Sequence, residues 1–305
     1  MVDLKLDIPQ SFYEEEERCG YVVKKEMKEV WAVELDLLAE FMRVCKKNNL
    51  TFYADAGTIL GAVRHKGMIP WDDDIDVIMT RKNYDKLCEI ASKEFNHPYF
   101  FQTEETDPGC RRGHAQLRNS MTTGILTSEK AHKYHFNQGI FIDIFPIEDL
   151  PDDLTMRKNY LGNVEKLRGR ETWIFNMTLG FQDSPNLFKR PVKRFVSFFM
   201  EKLGVSYRPF YDRYTNLIKK NKYPNSKQVA KLFNLPLQKR RIWDRDDIVS
   251  AVYLPFEMLE IPVPNGYCNI LDKFYGNWRE YKISSSSHGG VFFDVNKPYT
   301  YYTES

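Results

Sequence analysis

Tyr53-Ala-Asp-Ala-Gly57-Thr58-Ile-Leu-Gly61-Ala-Val-Arg64-His65-Lys-Gly67-Met-Ile-Pro70-Trp71-Asp72-Asp73-Asp74-Ile75-Asp76-Val77 joins a glycine-punctuated turn, an Arg-His pair and a run of acids. From Asp74 to Val77 polar and apolar residues alternate, and Ile78 and Met79 follow. That pattern predicts a strand with Asp74 and Asp76 on one face and Ile75, Val77 and Met79 on the other. Two carboxylates so spaced on a rigid strand can share one hard cation, and oxygen-only ligands suit Mg²⁺ or Mn²⁺ rather than zinc. Upstream, the apolar Phe52-Tyr53-Ala54 gives way to Gly57-Thr58, which opens a helix-like segment over residues 58–65. The start of a helix leaves backbone N–H groups unpaired, and with the Thr58 hydroxyl they would seat a phosphate. An isolated acidic turn or N-cap is ordinarily just solvated. Here the two follow in register, which favours a site for a metal and a phosphate together.

A second acid stands apart. Gly139-Ile-Phe-Ile-Asp143-Ile-Phe-Pro146 is a buried-strand pattern with one charge in its middle, and a carboxylate there needs a partner. Either Asp143 pairs with an internal cation such as Arg118, or it serves as a third metal ligand or as the base for a hydroxyl proton.

The run ADAGTILGAVRHKGMIPWDDDIDVIMTRKNYDKL over residues 54–87 closely resembles the signature of the LicD/fukutin-type phosphotransferases, a branch of the nucleotidyltransferase-like fold. Further similar pieces are residues 139–146, Leu254-Pro-Phe-Glu257, Val263-Pro-Asn265 and Tyr275-Gly276, so the resemblance runs from about residue 28 to 290 and is weak across the middle. It implies that Gly57-Thr58 is the family's glycine turn, that Asp74 and Asp76 are its metal-binding pair and that Asp143 is the third acid. It also implies that Arg64 and His65 grip a diphosphate, Arg through its forked donors. The gap from Gly57-Thr58 to Asp74 is longer than in most nucleotidyltransferases, which leaves open whether Asp72 also reaches the metal. His288 stands where family members often carry a late histidine and is a candidate for substrate contact, as are Asp72 and Arg118. His97, His132 and His135 read as surface or packed residues, and His114 stays open.

Composition agrees with a compact enzyme. A chain of 305 residues with 42% hydrophobic and 14% aromatic content can fill a sizeable core, and a net charge of +2 gives no electrostatic case for nucleic acid. Five cysteines with no CxxC spacing suggest reduced thiols packed as small apolar residues. No leader is read before the acidic residues 14–17, and no apolar run approaches a membrane span. The expected location is cytoplasmic, with peripheral contact at the inner face of the membrane as the alternative.

Helical periodicity over residues 25–47 and 81–95, with strands near 99–102, 116–118 and 139–145, predicts an α/β (α+β) fold, a nucleotidyltransferase-like mixed-sheet core with helices on one face. The core is expected over residues 24–150, a helical insertion over 151–235 with helices near 154–181 and 191–203, and a C-terminal segment over 236–305 that returns to the core. Within the insertion, Phe195, Phe198 and Phe199 lie beside Lys189, Arg190, Lys193 and Arg194. A basic amphipathic helix of this kind can lie on an anionic membrane. The favoured expectation is that the rings face the protein's own core.

The function expected is metal-dependent transfer of a phospho-alcohol, phosphocholine from CDP-choline first, onto a hydroxyl of a cell-surface glycan such as teichoic acid or lipopolysaccharide that is in some cases lipid-linked. Ribitol or glycerol phosphate from a CDP-polyol, nucleotidyl transfer to a small substrate and a non-catalytic binding module are the competing readings.

Overall fold

The computed structural model describes residues 2–129, 134–178, 190–220, 223–224, 226–233, 235–283 and 290–303. A hairpin of β1 (Glu16–Arg18) and β2 (Tyr21–Val23) leads into α1 (Lys25–Lys47). This helix has the bounds its periodicity predicts. Val30, Val33, Leu37, Leu38, Phe41 and Val44 are all buried, and Lys46 and Lys47 close it where cations suit the helix dipole. Then follow β3 (Tyr53–Ala54), α2 (Ala56–Arg64), β4 (Asp76–Thr80), α3 (Arg81–Glu94), β5 (Tyr99–Gln102), β6 (Ala115–Asn119), β7 (Thr123–Leu126) and β8 (Ile140–Asp149).

The central sheet is mixed, as expected, and β8 is its axis. β4 runs parallel to β8, β6 and β9 (Gln228–Ala230) run antiparallel to it, β3 pairs β4, β5 pairs β6 and β10 (Ile242–Asp244) pairs β9. The registers decide the site. Asp76 faces Asp143, Gln116 faces Asp143, and Gln102 faces Gln116. Directly paired residues share a face, so Gln102, Gln116, Asp143 and Asp76 form one polar row across four strands.

Two sequence expectations change here. β4 begins at Asp76, so Asp74 belongs to the preceding loop rather than to the strand. Ile78 and Met79 point to opposite faces, yet both are fully buried. The sheet is therefore covered on both faces at this point, not on one.

The middle of the chain supplies α4 (Leu154–Thr178), α5 (Arg190–Lys202) and α6 (Arg208–Lys220). α4 and α6 build a second small core, in which Tyr160, Val164, Ile174 and Phe175 meet Tyr211, Tyr214 and Ile218. The chain rejoins the sheet at β9. A hairpin, β11 (Ala251–Phe256) with β12 (Leu259–Pro264), precedes α7 (Tyr267–Tyr275); β13 (Val291–Asp294) pairs β7, and α8 (Thr300–Thr303) ends the described chain.

The expected burial of the α5 rings is overturned. Phe195, Phe198 and Phe199 are 64%, 54% and 49% exposed. The rings stand at i, i+3 and i+4 and so share one side of the helix. α5 is tied to α4 elsewhere, through a hydrogen bond from the Ser197 hydroxyl to the Thr178 carbonyl (2.6 Å). The rings pack on one another, and Lys202 lies over Phe198. Lys189 and the side chains of Arg190, Lys193 and Arg194 lie outside the described residues. Among the described residues no helix is long and apolar enough to cross a membrane. All five cysteines are free thiols, Cys45 and Cys110 being buried.

Candidate active site

A cavity of about 730 Å³ opens where α2, the acidic loop, the start of β4 and the first half of β8 converge. Its size suits a small-molecule substrate. Asp72, Asp74, Asp76 and Asp143 all line it. Asp72, Asp73 and Asp74 each offer a carboxylate oxygen within 4.8 Å of the others. The loop is held from beneath by α1, where Trp31 Nε1–H donates to the Asp72 carbonyl (3.0 Å).

Crowding of like charge is the electrostatic signature of this wall. Burial, then Asp74, push the Asp72 carboxyl up to about 8. Burial, then Asp74 and Asp143, push Asp76 well above the usual carboxylate range. Glu34 on α1, fully buried behind the loop, is raised in the same way by burial and by Asp73 and Asp74. Asp76 Oδ1 is buried and makes no hydrogen bond. An uncompensated carboxylate oxygen among other carboxylates is costly, and a hard divalent cation is the group that relieves it. The donor set is oxygen throughout, so the residues present fit Mg²⁺ or Mn²⁺.

Asp143 differs. Its Oδ1 accepts from Gln116 Nε2 (2.7 Å) and stands 3.0 Å from His114 Nε2. Burial alone would raise its carboxyl, but His114, Gln116 and Arg112 outweigh burial and hold it at about 2. The alternative partner, Arg118, does not touch it. Arg118 is wholly buried and sits one step back, donating from Nε to Gln102 Oε1 (2.6 Å), from Nη1 to the Gly139 carbonyl (2.6 Å) and from Nη2 to Gln116 Oε1. It orients the glutamine that orients Asp143, and it does not line the cavity, so the structure gives it no substrate contact.

The glycine turn meets the acids directly. A Cβ on Gly57 would come within 2.6 Å of Asp72 Oδ2, closer than any side chain tolerates, so glycine is what lets this carboxylate approach the start of α2. Thr58 is spent otherwise than expected. Its hydroxyl is buried and accepts the Asp76 N–H (2.8 Å), pinning the head of β4 to α2. Ala56 and Gly57, not Thr58, reach the cavity.

Arg64 and His65 are brought together but do not act as a matched pair. Arg64 lines the cavity, yet its Nη1 donates to the carbonyls of Trp278 (2.9 Å) and Glu280 (3.0 Å), and its Nε donates to His65 Nε2 (2.9 Å). Much of its fork is committed to tethering the C-terminal segment. His65 packs edge-on to Trp71 and Tyr281 and lies outside the cavity lining. Burial, then Arg64 and Arg18, push it down to about 4, which keeps it neutral. His288 lies outside the described residues.

Residues 49–182 match a family model described as LicD/FKTN/FKRP, nucleotidyltransferase domain. Over that segment this chain is similar to the LicD family. Lipopolysaccharide cholinephosphotransferase LicD of Haemophilus influenzae is 25% identical over 261 residues, which cover 84% of this chain and 92% of that protein. An uncharacterized protein of Rickettsia prowazekii is 27% identical over 107 residues, 33% of this chain and 40% of its own length.

The matched LicD-family segment contains the whole acidic wall with His114 and Gln116. Further lining comes from beyond it: Lys231, Arg240, Arg241 and Lys282 bring positive charge, and Phe274, Tyr275 and Trp278 bring rings. Sequence reasoning missed these cations and left His114 open. Lys231 had left a trace, a polar residue in an apolar strand-like run.

Proposed function

We propose that this chain, similar to the LicD family over residues 49–182, is a metal-dependent transferase that moves phosphocholine from CDP-choline onto a hydroxyl of a cell-surface glycan, lipopolysaccharide or teichoic acid being the acceptor class. The observation that carries the reading is one cavity lined by carboxylates and also by cations and aromatic rings. The carboxylates suit a metal, the cations a diphosphate, and aromatic faces a quaternary ammonium. The relative from Haemophilus influenzae, by its name a lipopolysaccharide cholinephosphotransferase, supports the same chemistry.

Asp74, Asp76 and Asp143 would hold Mg²⁺ or Mn²⁺, with Asp72 beside them. When bound, the metal offsets charge on the phosphorus centre and on departing CMP, where phosphoryl-type transfer gains most of its stabilisation. Asp143, already accepting two side-chain bonds and held at about 2, is suited to binding a cation and poorly suited to taking a proton. Gly57 and the first turn of α2 border the phosphates. Arg64 keeps the segment bearing Trp278 against the site.

The exposed rings of α5 favour the alternative placement of this helix, a peripheral contact with an anionic membrane where a lipid-linked acceptor resides. The deciding experiment is incubation with CDP-choline, CDP-ribitol or CDP-glycerol and Mg²⁺, with and without glycan acceptor. Acceptor-dependent CMP release from CDP-choline is expected. Release only from a CDP-polyol would change the donor, and a nucleotidylated product would overturn the reaction class.

A further inference from the structure

Lys231 follows β9 in the apolar run Gln228-Val-Ala-Lys231-Leu-Phe233, where a lone cation is costly unless something answers it. The residue is only 4% exposed. Its Nζ lies 4.6 Å from the ring centroid of Phe145, 5.7 Å from that of Phe233 and 5.6 Å from that of Trp243. Its ion-pair partner is Asp55 Oδ2.

Asp55 is the residue that caps α2. An aspartate there ordinarily accepts from the first N–H groups of its helix. Asp55 makes no such bond, because its carboxylate is turned to Lys231. Two consequences meet in the cavity. The cap carboxylate does not occupy the N–H groups at the start of α2, where Ala56 and Gly57 line the wall, and its charge is neutralised beside them. Lys231 lines the same cavity.

We propose that Lys231, from outside the matched family segment, is a positioning residue for the diphosphate of the donor. It draws Asp55 off the start of α2 and places a buried positive charge where an anion must pass the carboxylates of the acidic loop. The role rests on the donor reading above but extends to any magnesium-bound diphosphate.

Lys231→Met and Asp55→Ala each leave a buried charge without its partner, so both lower the melting temperature. Binding separates them. By titration calorimetry with magnesium pyrophosphate and with CDP-choline, Lys231→Met weakens affinity roughly 30-fold, whereas Asp55→Ala stays within about threefold of wild type. The double variant, with no unpaired buried charge, recovers most of the stability but not the affinity. Parallel losses in the two single variants, or wild-type affinity in the double variant, would overturn the proposal and reduce the pair to a structural one. Wild-type protein that binds pyrophosphate but not CDP-choline would end the choline reading and leave the role of Lys231 standing. Protein that binds neither would end both.

Discussion

Asp76→Asn should abolish transfer without unfolding the chain. The bonds that fix this residue do not use its carboxylate: its N–H donates to Thr58 Oγ1 at 2.8 Å, and its carbonyl accepts the Asp55 N–H at 3.0 Å. The substitution removes one buried carboxylate from beside Asp74 and Asp143. Loss of a direct metal ligand should cost at least about 100-fold in turnover, about 2.7 kcal/mol of transition-state stabilisation. Stability moves the other way. The carboxyl of Asp76 is raised in the folded state above its unfolded value, so at neutral pH its charged form opposes folding. A neutral side chain removes that cost, and the metal-free variant should melt at or above wild type. With Mg²⁺ at 100 times its Kd, wild type should gain about 2.7 kcal/mol, on the order of 5 °C in Tm, and the variant should lose most of that gain. The assay is CMP release from CDP-choline alongside thermal melts with and without Mg²⁺. A variant that keeps more than about a tenth of wild-type turnover at saturating Mg²⁺, or whose melt responds to Mg²⁺ as wild type does, would refute the metal assignment.

Gly57→Ala should fold within about 1 kcal/mol of wild type, because the Asp72 side chain can swing away, yet lose about 10-fold or more in turnover as that carboxylate leaves the turn; equal kinetics would detach Asp72 from the site. Gln116→Leu removes a donor to Asp143 and should lower activity or Mg²⁺ affinity by roughly 10–100-fold, measured by Mg²⁺ titration of turnover. Arg64→Lys keeps the charge but loses the fork that holds Trp278 and Glu280. Limited proteolysis within residues 276–283 should accelerate, and the Michaelis constant for the donor should rise. Replacing Phe195, Phe198 and Phe199 together by serine should leave the melting temperature unchanged within the effect of about 0.5 kcal/mol per exposed site, and abolish sedimentation with anionic vesicles; an unfolded variant would return the rings to a core role.

The parts of the fold legible in advance are those that short-range periodicity encodes. α1 was bounded by its apolar stripe and terminal lysines, and β5 and the start of α3 followed from local pattern. The acidic loop was legible as a cluster, although Asp74 was assigned to a strand that begins only at Asp76. What escaped is what register decides. The row Gln102–Gln116–Asp143–Asp76 exists because three strand pairings coincide, and periodicity along one strand says nothing about which residue lies across from it. The same limit hid the Lys231–Asp55 pair, whose members are brought together only when β9 pairs β8. An amphipathic pattern likewise shows that α5 has an apolar face, but not what covers it, and the favoured burial proved wrong.

A trace of the hidden contacts was nonetheless present. Asp143 and Lys231 each interrupt an apolar run, and Gln116 and Arg118 alternate with Ala115 and Leu117 on a wholly buried strand, all polar groups that burial would penalise if they stood alone. Such groups are retained where they answer one another or a ligand. Here Arg118 holds Gln116, Gln116 holds Asp143, and Lys231 holds Asp55. The chain from Arg118 ends at a carboxylate on the cavity wall, and so does Asp76, whose buried oxygen finds no protein partner. A buried carboxylate oxygen left without a protein partner on the cavity wall, beside a carboxylate held by its neighbours, is what is expected of residues arranged to hold a cation.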